Sequence, residues 1–281
     1  MPEGPEIKRA ADKIAAILDG EVIDRCFIQP AGLRRYRPVL TGARVEAVRP
    51  RGKALLTRFD NGLTLYSHNQ LYGRWYTTHR DKQPLTNRSL RIALHTKTHS
   101  AWLYSASEIA ILDDDALQAH PFLQSLGPDI LDPSLHWRDI LRQLQSPLFN
   151  RRSLASLYLN QHFIAGIGNY LRTEILFFAG LSPWAKPIDL SLAELGKLAR
   201  CTLTISQRAY QSGGITNPAK FHRRLKNQGK HKEAYRFATF ERDGKACYQC
   251  GTGIKRVEIG ARRLYYCGQC QAVIRPPGST V

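Results

Sequence analysis

The chain has 281 residues, with 41 Lys or Arg against 23 Asp or Glu and a formal net charge of +18. That length suits roughly two domains, and so much uncompensated positive charge points to a polyanionic partner, nucleic acid ahead of an acidic membrane surface. Apolar runs such as Ile175 to Ala179 fall far short of the about 20 residues that span a bilayer, and Glu3, Glu6 and Asp12 interrupt any signal-peptide core, so a cytoplasmic location is expected.

The first predicted element is a helix. Pro5 suits a first turn, Glu3 and Glu6 favour its positive end, and Ile7, Ala10, Ala11, Ile14, Ile17 and Leu18 recur at helical spacing. Helix formation gives no reason for Pro2 to stand directly behind Met1. Predicted strands follow at Val22 to Ile28, Ala43 to Val48, Ala54 to Phe59, Leu63 to Ser67, Leu90 to Leu94 and Ala101 to Tyr104. Asp60-Asn61-Gly62 predicts a hairpin turn, because Asn-Gly readily supplies positive φ values. A helix followed by mostly antiparallel strands predicts a β-sandwich. Within it, Lys53 of Arg51-Gly52-Lys53 reads as a solvated surface charge. In His68-Asn69-Gln70-Leu71-Tyr72-Gly73, Leu71 and Tyr72 fit either a core position or an exposed wedge that fills the stack vacated by an extruded base.

From about Asp113 the pattern turns helical, at Leu135 to Leu144, Ser153 to Gln161, Asn169 to Phe178 and Ala193 to Tyr210. Gly166-Ile167-Gly168 lies between two of these. It exposes backbone N–H groups suited to a phosphate, or simply lets two helices turn tightly. Gln211 to Phe237 combines glycines with many cations and reads as a mobile loop or a nucleic-acid-contacting arm.

Six cysteines are unevenly spread. Cys26 and Cys201 read as small buried apolar residues. Cys247-x-x-Cys250 and Cys267-x-x-Cys270, sixteen residues apart, place four thiolates around one structural Zn2+, two tight knuckles joined by a hairpin, with no open position for catalytic water. Lys255, Arg256, Arg262 and Arg263 lie between the pairs, aimed at phosphates or forming a solvated basic face.

Taken in order, Pro2-Glu3-Gly4-Pro5-Glu6, Arg51-Gly52-Lys53, Gly168-Asn169-Tyr170-Leu171-Arg172-x-Glu174 and the four cysteines resemble the formamidopyrimidine-DNA glycosylase and endonuclease VIII family over essentially the whole chain. Ser67 to Gly73 is similar to the endonuclease VIII branch. The resemblance implies an α+β multidomain protein. A β-sandwich with flanking helices spans 1–120, a helix-two-turns-helix domain with a basic loop 121–237, a four-cysteine zinc finger 238–273 and a tail 274–281. It implies a monomeric base-excision-repair enzyme acting on damaged duplex DNA, a glycosylase for oxidised pyrimidines and an AP lyase that uses an N-terminal proline Schiff base with β,δ-elimination. The alternatives are an oxidised-purine glycosylase of the same family and a non-catalytic zinc-ribbon protein that binds damaged DNA.

By position, the resemblance makes Pro2 the nucleophile once Met1 is removed, Glu3 the general acid and Glu6 a supporting carboxylate. Lys53 assists and contacts phosphate. Arg262 binds the phosphates flanking the lesion, Asn169 with Gly168 binds phosphate at the glycine turn, and Glu174 is a buried carboxylate behind it. Gln70, Leu71 and Tyr72 enter the space left by the flipped nucleotide. Three departures stand out: Arg263 and Leu264 follow Arg262 where small residues are usual, Ser125 replaces an arginine, and the basic stretch Phe221 to Lys232 differs in length and charge.

Overall fold

A computed structural model describes residues 2–80 and 82–271 and divides the chain into two compact units, 1–125 and 126–281. Met1 and the expected tail at 274–281 lie outside the described residues.

The first unit begins with α1 (Gly4–Leu18), whose buried stripe of Ile7, Ala11, Ile14 and Leu18 follows the sequence periodicity. Burying each of the large aliphatic side chains contributes about 2 kcal/mol. Two antiparallel four-stranded sheets follow. One has the order β1-β6-β7-β5, from β1 (Arg25–Ile28), β5 (Arg74–His79), β6 (Leu90–His95) and β7 (His99–Tyr104). The other has the order β2-β3-β4-β8, from β2 (Val45–Arg51), β3 (Ala54–Phe59), β4 (Thr64–His68) and β8 (Glu108–Leu112). Their inner faces meet in a core that includes Ile28, Val45, Leu55, Phe59, Leu65, Ile92, Leu94 and Leu103, to which α1 adds Ala11, Ile14 and Leu18. Helix α1 touches β2 of one sheet and β5 and β7 of the other, so its N-terminal turn is fixed by both layers. Short helices α2 (Arg37–Leu40), α3 (Asp114–Gln118) and α4 (Pro121–Gln124) complete the unit.

The predicted β-sandwich is present, with three differences of detail. β5 and β8 were not among the predicted strands. The first predicted strand starts later, its Val22 forming only an isolated bridge with Arg44. The hairpin at Asp60-Asn61-Gly62 has positive φ only at Gly62, +81°. The Gly62 N–H donates to the Phe59 carbonyl at 3.2 Å and the Phe59 N–H to the Leu63 carbonyl at 2.9 Å, a three-residue loop closed by a left-handed glycine rather than a two-residue turn.

The second unit is helical: α5 (Trp137–Gln145), α6 (Leu154–Leu157), α7 (Asn169–Ala179) and α8 (Leu192–Ser212), then α9 (Ala219–Asn227) and α10 (Glu233–Arg236). α7 is its central helix, with only Asn169 and Phe178 not fully buried. The predicted helix over Ser153 to Gln161 is only the four-residue α6. The chain then turns about the Gln161 carboxamide, which donates to the Ile167 carbonyl at 2.8 Å and accepts from the Gly166 N–H at 3.1 Å. The stretch expected as a loop or arm, Gln211 to Phe237, instead contains α9 and α10. The Thr216 N–H donates to the Arg236 carbonyl at 2.9 Å, and Phe221 packs on Tyr248 with ring centroids 4.6 Å apart. A hairpin of β9 (Ile254–Ile259) and β10 (Arg262–Cys267) closes the described chain, and Phe177 of α7 shares a small core with Ile254, Tyr265 and Cys267. Among the described residues no helix is long and apolar enough to cross a membrane.

Candidate active site and nucleic-acid interface

The start of α1 is built around two of the predicted acids. Glu3 is the N-cap and is 3% exposed, and its N–H donates to Glu6 Oε2 at 3.0 Å in a capping box. The sequence therefore buries one carboxyl group beside Pro2 while using another to finish the helix. A cleft of about 400 Å3 opens here, lined by Pro2 and Glu6 of this segment, Asn69, Leu71 and Tyr72 from the loop after β4, and the cations Arg9, Lys13, Arg74 and Arg88. Leu71 is 59% and Tyr72 69% exposed, which decides against a core role for either. Asn69 is 7% exposed, and its Oδ1 has no hydrogen-bond partner among the described residues, an acceptor kept on the cleft wall.

Lys53 occupies the second position of the two-residue loop between β2 and β3, whose flanking residues Arg51 and Ala54 pair directly. Gly52 takes φ +60° while Lys53 stays at negative φ, the pattern of a type II′ turn, in which the first position favours glycine. Arg51-Gly52-Lys53 is thus a turn specification that also sets the lysine. Its neighbour across the β3–β4 register is His68, paired with Ala54 and 8% exposed. Burial pushes the His68 imidazole below its ordinary range, the Glu108 carboxylate works in the opposite direction, and the Lys53 ammonium adds to the lowering. The loop from Asn69 to Gly73 is tight. The Gly73 N–H donates to the Asn69 carbonyl at 2.7 Å, and a Cβ at Gly73 would stand 2.6 Å from that oxygen, so no other residue fits.

In the second unit, Gly168 is the N-cap of α7 and Asn169 its first residue. The glycine turn thus opens a buried helix. The Asn169 amide Nδ2 donates to the Arg263 carbonyl at 2.7 Å, and its Oδ1 accepts from Arg172 Nη2 at 2.5 Å. Arg172, fully buried, also donates to the Ala155 carbonyl at 2.9 Å and to the Arg263 carbonyl at 3.2 Å. The departure at Arg263 and Leu264 acquires a role here: the Arg263 backbone ties the hairpin to α7, and Leu264 is 0% exposed in the core. Arg262 is exposed at the start of β10, beyond a two-residue turn in which Gly260 and Ala261 both have positive φ. Glu174 is fully buried. Its carboxylate accepts from the backbone N–H groups of Ala238 (2.7 Å), Thr239 (2.8 Å) and Phe240 (2.9 Å), and from the hydroxyls of Thr216 and Thr239. With its lone pairs committed to residues 216–240, it is a positioning group rather than one that meets a reacting atom.

The four grouped cysteines bring their Sγ atoms within 4.8 Å of one another. Cys247 and Cys270 are 3.9 Å apart and Cys250 and Cys267 3.4 Å. Thiolates about 2.3 Å from a tetrahedral ion stand roughly 3.8 Å apart, so the cluster fits a four-sulfur Zn2+ site and leaves no open position. Cys26 is buried, and burial pushes its thiol up to about 12; the same cause raises that of half-buried Cys201, so both are unreactive packing residues.

The profile of the formamidopyrimidine-DNA glycosylase N-terminal domain matches residues 1–109, and that of the formamidopyrimidine-DNA glycosylase H2TH domain matches 126–220. The chain is 44% identical to Endonuclease 8 of Escherichia coli over 271 residues, 96% of this chain and all of that protein, and equally so to Endonuclease 8 of Shigella sonnei. The chain belongs to the formamidopyrimidine-DNA glycosylase and endonuclease VIII family. Members of this family are DNA glycosylases with AP lyase activity. The fold agrees. Lactococcus lactis formamidopyrimidine-DNA glycosylase, solved non-covalently bound to AP-site DNA, superposes with a TM-score of 0.77 at 16% identity, covering 96% of this chain and 99% of that one. The same enzyme solved with DNA containing an oxidised pyrimidine also gives 0.77, at 18% identity, covering 96% of this chain and all of that one.

For this member of the glycosylase family, the structure gathers Pro2, Glu6, Leu71 and Tyr72 around one cleft and sets Lys53 beside His68. It also ties Asn169 to the finger hairpin that carries Arg262. Sequence reasoning missed Arg9, Lys13, Arg74 and Arg88 on the cleft wall, together with Asn69, His68, Glu108 and Arg172. Part of the signal was present: Glu6, Arg9, Ala10 and Lys13 are spaced i, i+3, i+4 and i+7, a second helix face beside the apolar stripe.

Proposed function

We propose that this chain is a bifunctional base-excision-repair enzyme. In this reading it acts as a monomer in the cytoplasm and removes oxidised pyrimidines from duplex DNA through a Schiff base on Pro2, with one structural Zn2+ in the finger. The observation that carries the reading is the cleft that joins Pro2 and Glu6 to the exposed Leu71 and Tyr72 among four cations. A nucleotide that leaves the stack needs both a wedge to replace it and a pocket to receive it.

With Met1 removed, the Pro2 nitrogen is a secondary amine with an ordinary pKa of about 7.7 to 8.0, so a useful neutral fraction exists near neutral pH. Its lone pair forms a bond to the anomeric carbon as the glycosidic bond breaks and the base departs, and Glu3, buried beside it, protonates the leaving group or opening sugar. Ring opening leaves an iminium ion. A secondary amine has no further proton to lose, so the adduct stays cationic and draws electrons. Loss of the proton from the adjacent sugar carbon then expels the 3′ phosphate, and a second elimination releases the 5′ phosphate. Lys53, Arg262 and Asn169 would stabilise the phosphates, and Glu174 would hold α7 and the finger segment in place. The finger cysteines would hold Zn2+, which supplies structure and no chemistry. The unpartnered Asn69 Oδ1 suits an N–H or O–H of the flipped nucleotide.

Borohydride trapping on duplex DNA containing thymine glycol tests the reading. The expected result is a covalent protein–DNA complex that disappears when Pro2 is blocked. Absence of an adduct during turnover would support a binding protein without catalysis. A cleavage panel of thymine glycol, dihydrouracil, 8-oxoguanine and abasic duplexes tests the branch, and faster release of 8-oxoguanine would reassign it to oxidised purines.

A further inference from the structure

The loop that exposes Leu71 and Tyr72 is clamped at its base. The Gln70 N–H donates to His68 Nδ1 at 3.1 Å, and its side-chain amide donates to Glu108 Oε2 at 2.7 Å. The other carboxylate oxygen of Glu108 accepts from the Tyr66 hydroxyl at 2.7 Å. Tyr66 and His68 lie on β4 and Glu108 begins β8, where it is the register partner of His68, so the carboxylate is fixed by the sheet that carries the loop. Gln70 has φ +48°, a left-handed conformation that a residue with a side chain keeps only when its surroundings enforce it. At the far side, Arg88 donates to the Tyr72 carbonyl and the Gly73 N–H returns to Asn69. Gln70 is therefore committed inward, while the next two residues stand in solvent.

We propose that Glu108 is a positioning residue that anchors Gln70, so that Leu71 and Tyr72 are presented to DNA as a preformed wedge and Gln70 serves as its anchor rather than as an inserted side chain. The proposal rests on reading Leu71 and Tyr72 as the wedge. A loop already ordered in its working shape loses less conformational freedom when it enters the duplex. The neutral imidazole of His68 supplies the second restraint, since only an unprotonated Nδ1 can accept from the Gln70 N–H.

The test uses the full-length zinc-loaded protein, with single-turnover base release from a thymine glycol duplex and the fluorescence of a 2-aminopurine beside the lesion to report unstacking. Glu108→Ala and Gln70→Glu each remove the anchor, the second by setting two carboxylates against one another. Each is expected to raise the half-saturating protein concentration by about tenfold, equivalent to about 1.4 kcal/mol, and to slow the fluorescence rise. The exchange variant Gln70→Glu/Glu108→Gln restores a carboxylate–carboxamide hydrogen bond with its ends swapped, and the Tyr66 hydroxyl still finds an acceptor. It is expected to recover most of the wild-type response. An exchange variant no better than Gln70→Glu would overturn the proposal, since Gln70 would then be required by the DNA itself. Wild-type behaviour of Glu108→Ala would also overturn it. Leu71→Ala separates the two levels: if it leaves unstacking unchanged, the wedge reading fails and the anchor with it. If it abolishes unstacking while Glu108→Ala does not, the anchor alone fails.

Discussion

Glu6 and Glu174 both sit in helices that carry candidate site residues, and the two units use them in opposite ways. Glu6 lines an open cleft at the N-terminal turn of α1, where it closes a capping box and still faces the space beside Pro2. Glu174 is sealed inside α7, with three backbone N–H groups and two hydroxyls converging on it. The first unit obtains rigidity from an apolar sandwich core and leaves its polar groups at the surface for a substrate. The second buries its polar groups and uses them as internal ties. Surface chemistry should therefore be removable from the first unit without unfolding it, whereas a polar change in the second should register mainly as lost stability.

The largest expected effect sharpens this contrast at Pro2. Retaining Met1 or acetylating the N-terminus should abolish borohydride trapping entirely while the thermal unfolding curve stays at its wild-type position. Next comes Glu174→Gln, which leaves five donors converging on a neutral group. It should destabilise the second unit by about 3 kcal/mol, read from the midpoint of its urea transition, with the first unit unchanged. Equal loss in both units would break the comparison. His68 gives a smaller, pH-dependent effect. Its folded pKa lies below the ordinary value, so the unfolded chain binds the proton more readily and stability is complete above about pH 6.5. It should fall as pH drops below that point toward the folded pKa, and a pH series of melting temperatures should show a slope that His68→Gln flattens. The smallest effect is on the stability of Leu71→Ala, expected within about 0.5 kcal/mol of wild type because the side chain is 59% exposed, even as lesion opening is lost.

The sequence announced features whose signal is local. The α1 stripe, β3, the β2–β3 turn and the paired Cys-x-x-Cys knuckles each depend on residues a few positions apart, and all are present as expected. β8, Glu-Ile-Ala-Ile-Leu, is too short and apolar for its period to separate strand from helix. It becomes a strand because β4 offers a free edge. The cationic stretch after Gln211 has few apolar residues, so its helical content was hidden until Phe221 found Tyr248 and Thr216 found Arg236. Reactive candidates such as Pro2 and Lys53 were legible because they sit in compact motifs. Glu108 and Arg172 were not, since their partners lie 38 residues away at Gln70 and 91 residues away at Arg263.

The three amides that converge on Glu174 carry one further consequence. Ala238, Thr239 and Phe240 lie on the path from the helical region into the finger, where a flexible connector would exchange its amide hydrogens within seconds to minutes. Bonded to a buried carboxylate, they should exchange only when the unit opens as a whole, and a protease should find no cut site there before global unfolding. The finger then shares one cooperative opening event with α7 instead of moving as an independent module.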